Sequence, residues 1–97
     1  MVPLPEPRIA AHLPVLCFVG TSEYAGTVVN ISRTGAYVRV EHYVPEIDAR
    51  IRLFISGPAE RQIEVDASVV RLTPHGFAAR FLGTPVELLE LLADLGG

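Results

Sequence analysis

The sequence predicts an all-β domain, a small antiparallel barrel or sandwich, with one short helix at its end. Three observations carry this. Six short apolar segments are present, most of them alternating with polar residues. Turn signals separate them at roughly 8–12 residue intervals, as in small all-β folds. From Thr84 onward the apolar spacing changes from a period of two to a helical one.

Met1 to Pro7 holds three prolines and reads as a flexible Pro-rich arm, leaving 8–97 as one domain. Leu13 to Val19 is a nearly continuous apolar run suited to a buried strand, and Gly20 to Glu23 is a turn. Tyr24 to Ile31 forms the second strand. Alternation puts Thr27, Val29 and Ile31 on one face and Val28, Asn30 and Ser32 on the other. Thr34-Gly35 breaks it, with a positive φ expected at the glycine. Ala36 to Val40 is the third strand, with Ala36, Val38 and Val40 inward. His42 to Ala49 is a loop around Pro45. Arg50 to Ser56 follows with Ile51, Leu53 and Ile55 inward, then a Gly57-Pro58 hairpin turn. Ile63 to Leu72 alternates, with Ile63, Val65, Ala67 and Val69 inward. Thr73 to Gly76 turns into the sixth strand, Phe77 to Leu82. Thr84-Pro85-Val86-Glu87 has the form of a capping box, with Thr84 as N-cap. The helix it opens carries Val86, Leu89, Leu92 and Leu95 at helical spacing and stops at Gly96-Gly97. No internal repeat is visible.

Composition narrows function by exclusion. A chain of 97 residues supports one domain with a modest core. Net charge is −3, and all eight basic residues are arginine. That balance argues against nucleic acid as a partner. No apolar run approaches the roughly 20 residues of a membrane-spanning helix, and the start lacks the basic region of a secretory signal; a cytoplasmic protein without membrane insertion is expected. The single Cys17 excludes an internal disulfide and reads as a small core residue. His12, His42 and His75 are far apart in sequence and have no metal-ligand spacing, so no metal is expected. No nucleophile–base pair or phosphate-cradling loop is recognisable, and an enzyme is not expected.

The most informative segment is Asn30-Ile31-Ser32-Arg33-Thr34-Gly35, with Arg8 and His12 upstream. An arginine can fork onto a phosphate or onto the O6 and N7 edge of guanine, and can stack on a purine. Asn30 and Ser32 offer short directional hydrogen bonds.

Arg8-x-x-x-His12, Asn30-x-Ser32-x-x-Gly35 and the closing Gly76-Phe77-Ala78-Ala79-Arg80-Phe81 together resemble a PilZ domain over roughly residues 8 to 83. The resemblance implies a six-stranded antiparallel β-barrel that binds cyclic di-GMP, through RxxxR and [DN]xSxxG motifs. The second motif is intact; in the first, His12 stands where an arginine is expected. A histidine lacks arginine's fork of five donors. Losing hydrogen bonds to a charged group costs about 1.5–3 kcal/mol, or roughly 10- to 150-fold in affinity. The implied ligand-binding residues are Arg8, His12, Asn30, Ser32, Arg33 and Gly35, with Arg33 as a substitute for the missing arginine. The implied function is a non-enzymatic bacterial signalling adaptor. It reads cyclic di-GMP, without a cofactor, and acts through a protein effector. The alternative is a PilZ-like protein-interaction module, related to motility or type IV pili, that binds no nucleotide.

Overall fold

The computed structural model describes residues 8–43 and 45–96. The expected arm, Met1 to Pro7, and Gly97 at the expected helix stop lie outside the described residues. Six strands form a closed antiparallel barrel: β1 (Ile9–Val19), β2 (Ser22–Ile31), β3 (Gly35–Val40), β4 (Arg50–Ser56), β5 (Gln62–Thr73) and β6 (Gly76–Phe81). Their order around the barrel is β1-β2-β3-β6-β5-β4, and β4 pairs with β1 to close it. Closure leaves no free sheet edge. A short 3-10 turn (Pro58–Glu60) joins β4 to β5, and α1 (Val86–Gly96) follows β6.

Inward side chains alternate along each strand, as the pleat requires. Leu13, Val15 and Cys17 from β1 meet Ile51, Leu53 and Ile55 from β4 and Ile63, Val65, Ala67 and Val69 from β5. Ala36 and Val38 from β3 and Phe77, Ala79 and Phe81 from β6 complete the interior. The apolar run of β1 thus alternates too: Leu16 points out and is 40% exposed.

Bulges change the phase where simple alternation fails. In β2, Val28 and Ile31 are both fully buried although three apart. A register shift between Val28 and Asn30 against β3 accounts for this, because the extra residue, Val29, turns the strand. The expected division, Thr27, Val29 and Ile31 on one face and Val28, Asn30 and Ser32 on the other, is therefore corrected: Val28 and Ile31 both point inward. A second shift, between Ala10 and Leu13, lies in β1, which begins at Ile9 and so takes in His12. A third leaves Val70 of β5 exposed between Val69 and Arg71.

The helix packs where β1 begins and β4 ends. A Cβ on Gly57 would lie 2.9 Å from Leu91, and one on Gly96 3.2 Å from Ile9. Leu88 and Leu91 are fully buried, with Leu92 and Leu95 packed beside them. Val86, 64% exposed, and Leu89 belong to the outer face, contrary to the sequence reading. The first helical carbonyl is that of Pro85, which accepts from the Leu88 and Leu89 amides at 3.0 and 3.4 Å. The apolar stripe is accordingly set by where the chain leaves β6. Arg61 and Asp94 tie the helix to the β4–β5 connection at 2.7 Å, as a charge contact rather than a directed hydrogen bond.

Two glycines decide how closely β3 and β6 approach. A Cβ on Gly35 would lie 2.3 Å from the Ala79 carbonyl oxygen, and one on Gly76 2.0 Å from that of Val38. Close backbone approach is thus the reason for glycine at position 35; among the described glycines, a positive φ, 60°, occurs at Gly20 and not at Gly35.

Replacing Gly76 or Gly35 by alanine is expected to cost about 3 kcal/mol or more, since backbone and not a flexible side chain must give way. Tm then falls by more than about 10 °C. Gly83→Ala, with nothing within 4 Å of the new methyl, is the control and changes Tm little. Circular-dichroism melts of the three variants check this.

Burial pushes the Cys17 thiol up from 9.0 to about 12. The unfolded chain then binds fewer protons than the folded one between these values, so stability falls as pH rises through that window. The slope contributed is at most about 1.4 kcal/mol per pH unit. Urea unfolding of wild type and Cys17→Ala from pH 8 to 11 is expected to show the wild type losing stability faster above pH 9; parallel curves would exclude it.

Candidate functional site

The register of β1 against β2 brings Arg8 to Asn30. Asn30 pairs with Ala10 across the β1–β2 ladder, two residues after Arg8. The Arg8 Nη1 donates to Asn30 Oδ1 at 2.7 Å on an exposed surface. This holds the guanidinium on the outer face of the barrel while its remaining donors stay available to an acceptor.

Ser32 does something different from Asn30. It is only 3% exposed. Its Oγ accepts from the amides of Thr34 and Gly35 at 3.2 and 3.3 Å and lies 3.2 Å from the Thr34 hydroxyl. The Oγ also approaches the Gly35 carbonyl at 3.4 Å, and the Ser32 amide donates to that carbonyl at 2.8 Å. Ser32 and Gly35 therefore build the β2–β3 turn from within. Asn30 and Ser32 do not present a shared polar face.

His12 and Arg33 lie in two separate concavities. His12 lines a cavity of about 600 Å³ together with Thr27, Arg39, Glu41, His42 and His75. All three histidines of the chain thus border one space, although sequence spacing separates them. Among the described residues, no group of three or more His, Cys, Asp or Glu is placed to hold a metal ion. Arg33 lines a cleft with Arg80 at the other end of the β3–β6 pair.

Arg39 is the residue that sequence reading passed over. It is exposed on β3, opposite Gly76 of β6, and borders the same cavity as His12. The available signal was its position on the outward face of β3, four residues after Gly35.

A PilZ domain family model matches residues 5–95. The chain belongs to the PilZ domain family. Its fold agrees with that assignment. The Bacillus subtilis inhibitor of motility, MotI/DgrA, superposes with a TM-score of 0.81 at 23% identity, over 98% of this chain and 50% of that one. This chain thus spans half the length of that protein. The PilZ domain of Escherichia coli YcgR with c-di-GMP superposes with a TM-score of 0.73 at 17% identity, over 94% of this chain and 87% of that one. No curated protein matches in sequence. Among the described residues, no helix of this PilZ domain is long and apolar enough to cross a membrane.

The division between Asn30 and Ser32 is testable. Ser32→Ala leaves two turn amides without their acceptor and is expected to cost about 1–3 kcal/mol. Asn30→Ala, at a half-exposed position, is expected to cost under about 1 kcal/mol. Chemical denaturation of both variants reads the difference; equal losses would contradict the assignment.

Proposed function

We propose that this PilZ domain is a non-enzymatic, cytoplasmic signalling adaptor that reads cyclic di-GMP and passes the signal to a protein effector. The ligand lies on the outer face of β2 and β3, between the Arg8–Asn30 pair and the cavity bordered by His12 and Arg39. The observation that carries this reading is the Arg8–Asn30 hydrogen bond, which holds a guanidinium on exposed β2 at Asn30, next in sequence to Val29, a residue that borders the cavity with Arg39. Arg8 forks onto a phosphate or guanine edge, and Arg39 supplies from β3 the charge that His12 does not supply from β1. Ser32 and Gly35 act by fixing the turn that carries Asn30. Membership in the family, and the presence of c-di-GMP with the PilZ domain of YcgR, support the ligand class.

A second reading has its own observation. On the opposite side of the barrel, Phe18 and Phe54 pack edge to face at 5.1 Å, beside exposed Leu16. Arg52 there bridges Asp66 at 3.0 Å and Glu64 at 3.1 Å. An apolar centre with a charged rim is the make-up of a protein contact. It serves the effector in the first reading and constitutes the whole function in a nucleotide-independent module.

Isothermal titration with cyclic di-GMP separates the two. Saturable binding is expected, weakened roughly 10- to 150-fold by Arg8→Ala or Arg39→Ala, with His12→Arg tightening it by a similar factor. A folded protein that gives no heat, and no gain in His12→Arg, would leave the nucleotide-independent module.

A further inference from the structure

The helix α1 is apolar on two sides. Its inner side carries Leu88 and Leu91, fully buried, with Leu92 and Leu95 packed beside them. Its outer side carries Val86, 64% exposed, and Leu89, 43% exposed. Among the described residues, Val86 is the most exposed large hydrophobic side chain. A helix that meets only solvent on its outer side keeps that side polar. Two large apolar residues one turn apart there are a contiguous apolar strip rather than scattered single exposures.

Helical spacing orders the outer side into two rows. At roughly 100° per residue, Val86, Leu89 and Ala93 fall within about 60° of arc. Glu87, Glu90 and Asp94 fall within an adjacent arc of about the same width. All six are exposed, and the helix holds no basic residue. Arg61 bridges Asp94 at 2.7 Å, but among the described residues Glu87 and Glu90 form no salt bridge. An apolar row therefore runs beside an acidic one.

Charge complementarity selects what covers this face. A second copy of the chain fits poorly. Antiparallel pairing about a two-fold brings the two acidic rows edge to edge, where they repel. Parallel pairing sets each acidic row against the other copy's apolar row and desolvates carboxylates without a partner. An anionic lipid surface is repelled for the same reason as the antiparallel copy. A helix with apolar residues at i, i+3 and i+7 and arginine or lysine along one edge satisfies both rows at once. Its apolar side chains pack on Val86 and Leu89, and its cations lie along Glu87 and Glu90.

We propose that the outer side of α1 is a docking surface for a basic amphipathic helix of a partner protein. It lies where β1 begins, against Ile9, whereas Phe18 and Phe54 lie toward the other end of β1. The two surfaces are therefore separate, and this one does not depend on nucleotide binding.

The test uses the full chain and two synthetic helical peptides with the same leucine face, one carrying arginine on its polar side and the other glutamate. Fluorescence anisotropy reads affinity, and ¹H–¹⁵N spectra locate the contact. The arginine peptide is expected to bind saturably at about 100 µM or tighter, and the glutamate peptide at least about tenfold more weakly. Amide shifts centre on Val86, Leu89, Glu90 and Ala93. Leu89→Ser weakens binding at least about fivefold, while Val70→Ser, at an exposed position on β5, leaves it unchanged. The double variant Glu87→Arg, Glu90→Arg inverts the preference between the peptides, which general adhesion of a leucine face does not produce. No saturable binding, equal affinity for both peptides, shifts centred elsewhere, or an unchanged preference in the folded double variant would overturn the proposal. So would a dimer in sedimentation that Leu89→Ser abolishes, or binding to anionic vesicles that it abolishes, since these assign the face to a second copy or to a lipid surface.

Discussion

The approach of β3 to β6 is the contact on which the other features rest. Sequence-distant strands meet there with no Cβ at Gly35 or Gly76, so that each glycine lies against a carbonyl of the facing strand. Any larger residue would push the strands apart. The barrel would then open at one of the two pairs, β3–β6 and β1–β4, that join its first half, β1 to β3, to its second, β4 to β6. The same contact places Arg39 beside the β5–β6 turn and Arg80 beside the β2–β3 turn. A packing requirement therefore determines where charge appears on the surface.

The surface chemistry follows from how few cations the chain has and where the barrel sends them. Net charge is negative, yet Arg8, Arg33, Arg39 and Arg80 all border the outer side or ends of the β2–β3–β6 face. Arg52 lies on the opposite side, where it bridges Glu64 and Asp66. Recognition of an anion by such a protein is local, through directed donors, rather than through a long-range field. This suits a compact ligand with defined phosphates more than a polyanion.

Strand existence and the inward sets of β3, β4 and β5 were readable because alternation is a local property: successive side chains leave the backbone on opposite faces. Alternation failed at Val28 and Val29, where a bulge adds one residue to one strand and reverses the phase beyond it. It also misassigned Val86 and Leu89. Several leucines lie at helical spacing, and only the packing of α1 against Ile9 and Gly57 selects Leu88 and Leu91 for burial. Of the candidate site, the joint role of Arg8 and Asn30 was implied by the family resemblance, and the structure adds the hydrogen bond between them. The burial of Ser32 was not, since one hydroxyl serves equally well as a turn acceptor or as a ligand donor.

By itself, the sequence determined the class of fold, the membership in its family and the kinds of groups available for recognition, because these depend on periodicity, turn residues and short motifs. The tertiary structure decided which of those groups share a space. It drew His12, His42, His75 and Arg39 around one cavity and sent Arg33 to another with Arg80. The reason is that these neighbours come from different strands, and their juxtaposition depends on ladder register and bulges. A single residue of slip would turn each of these side chains to the other face.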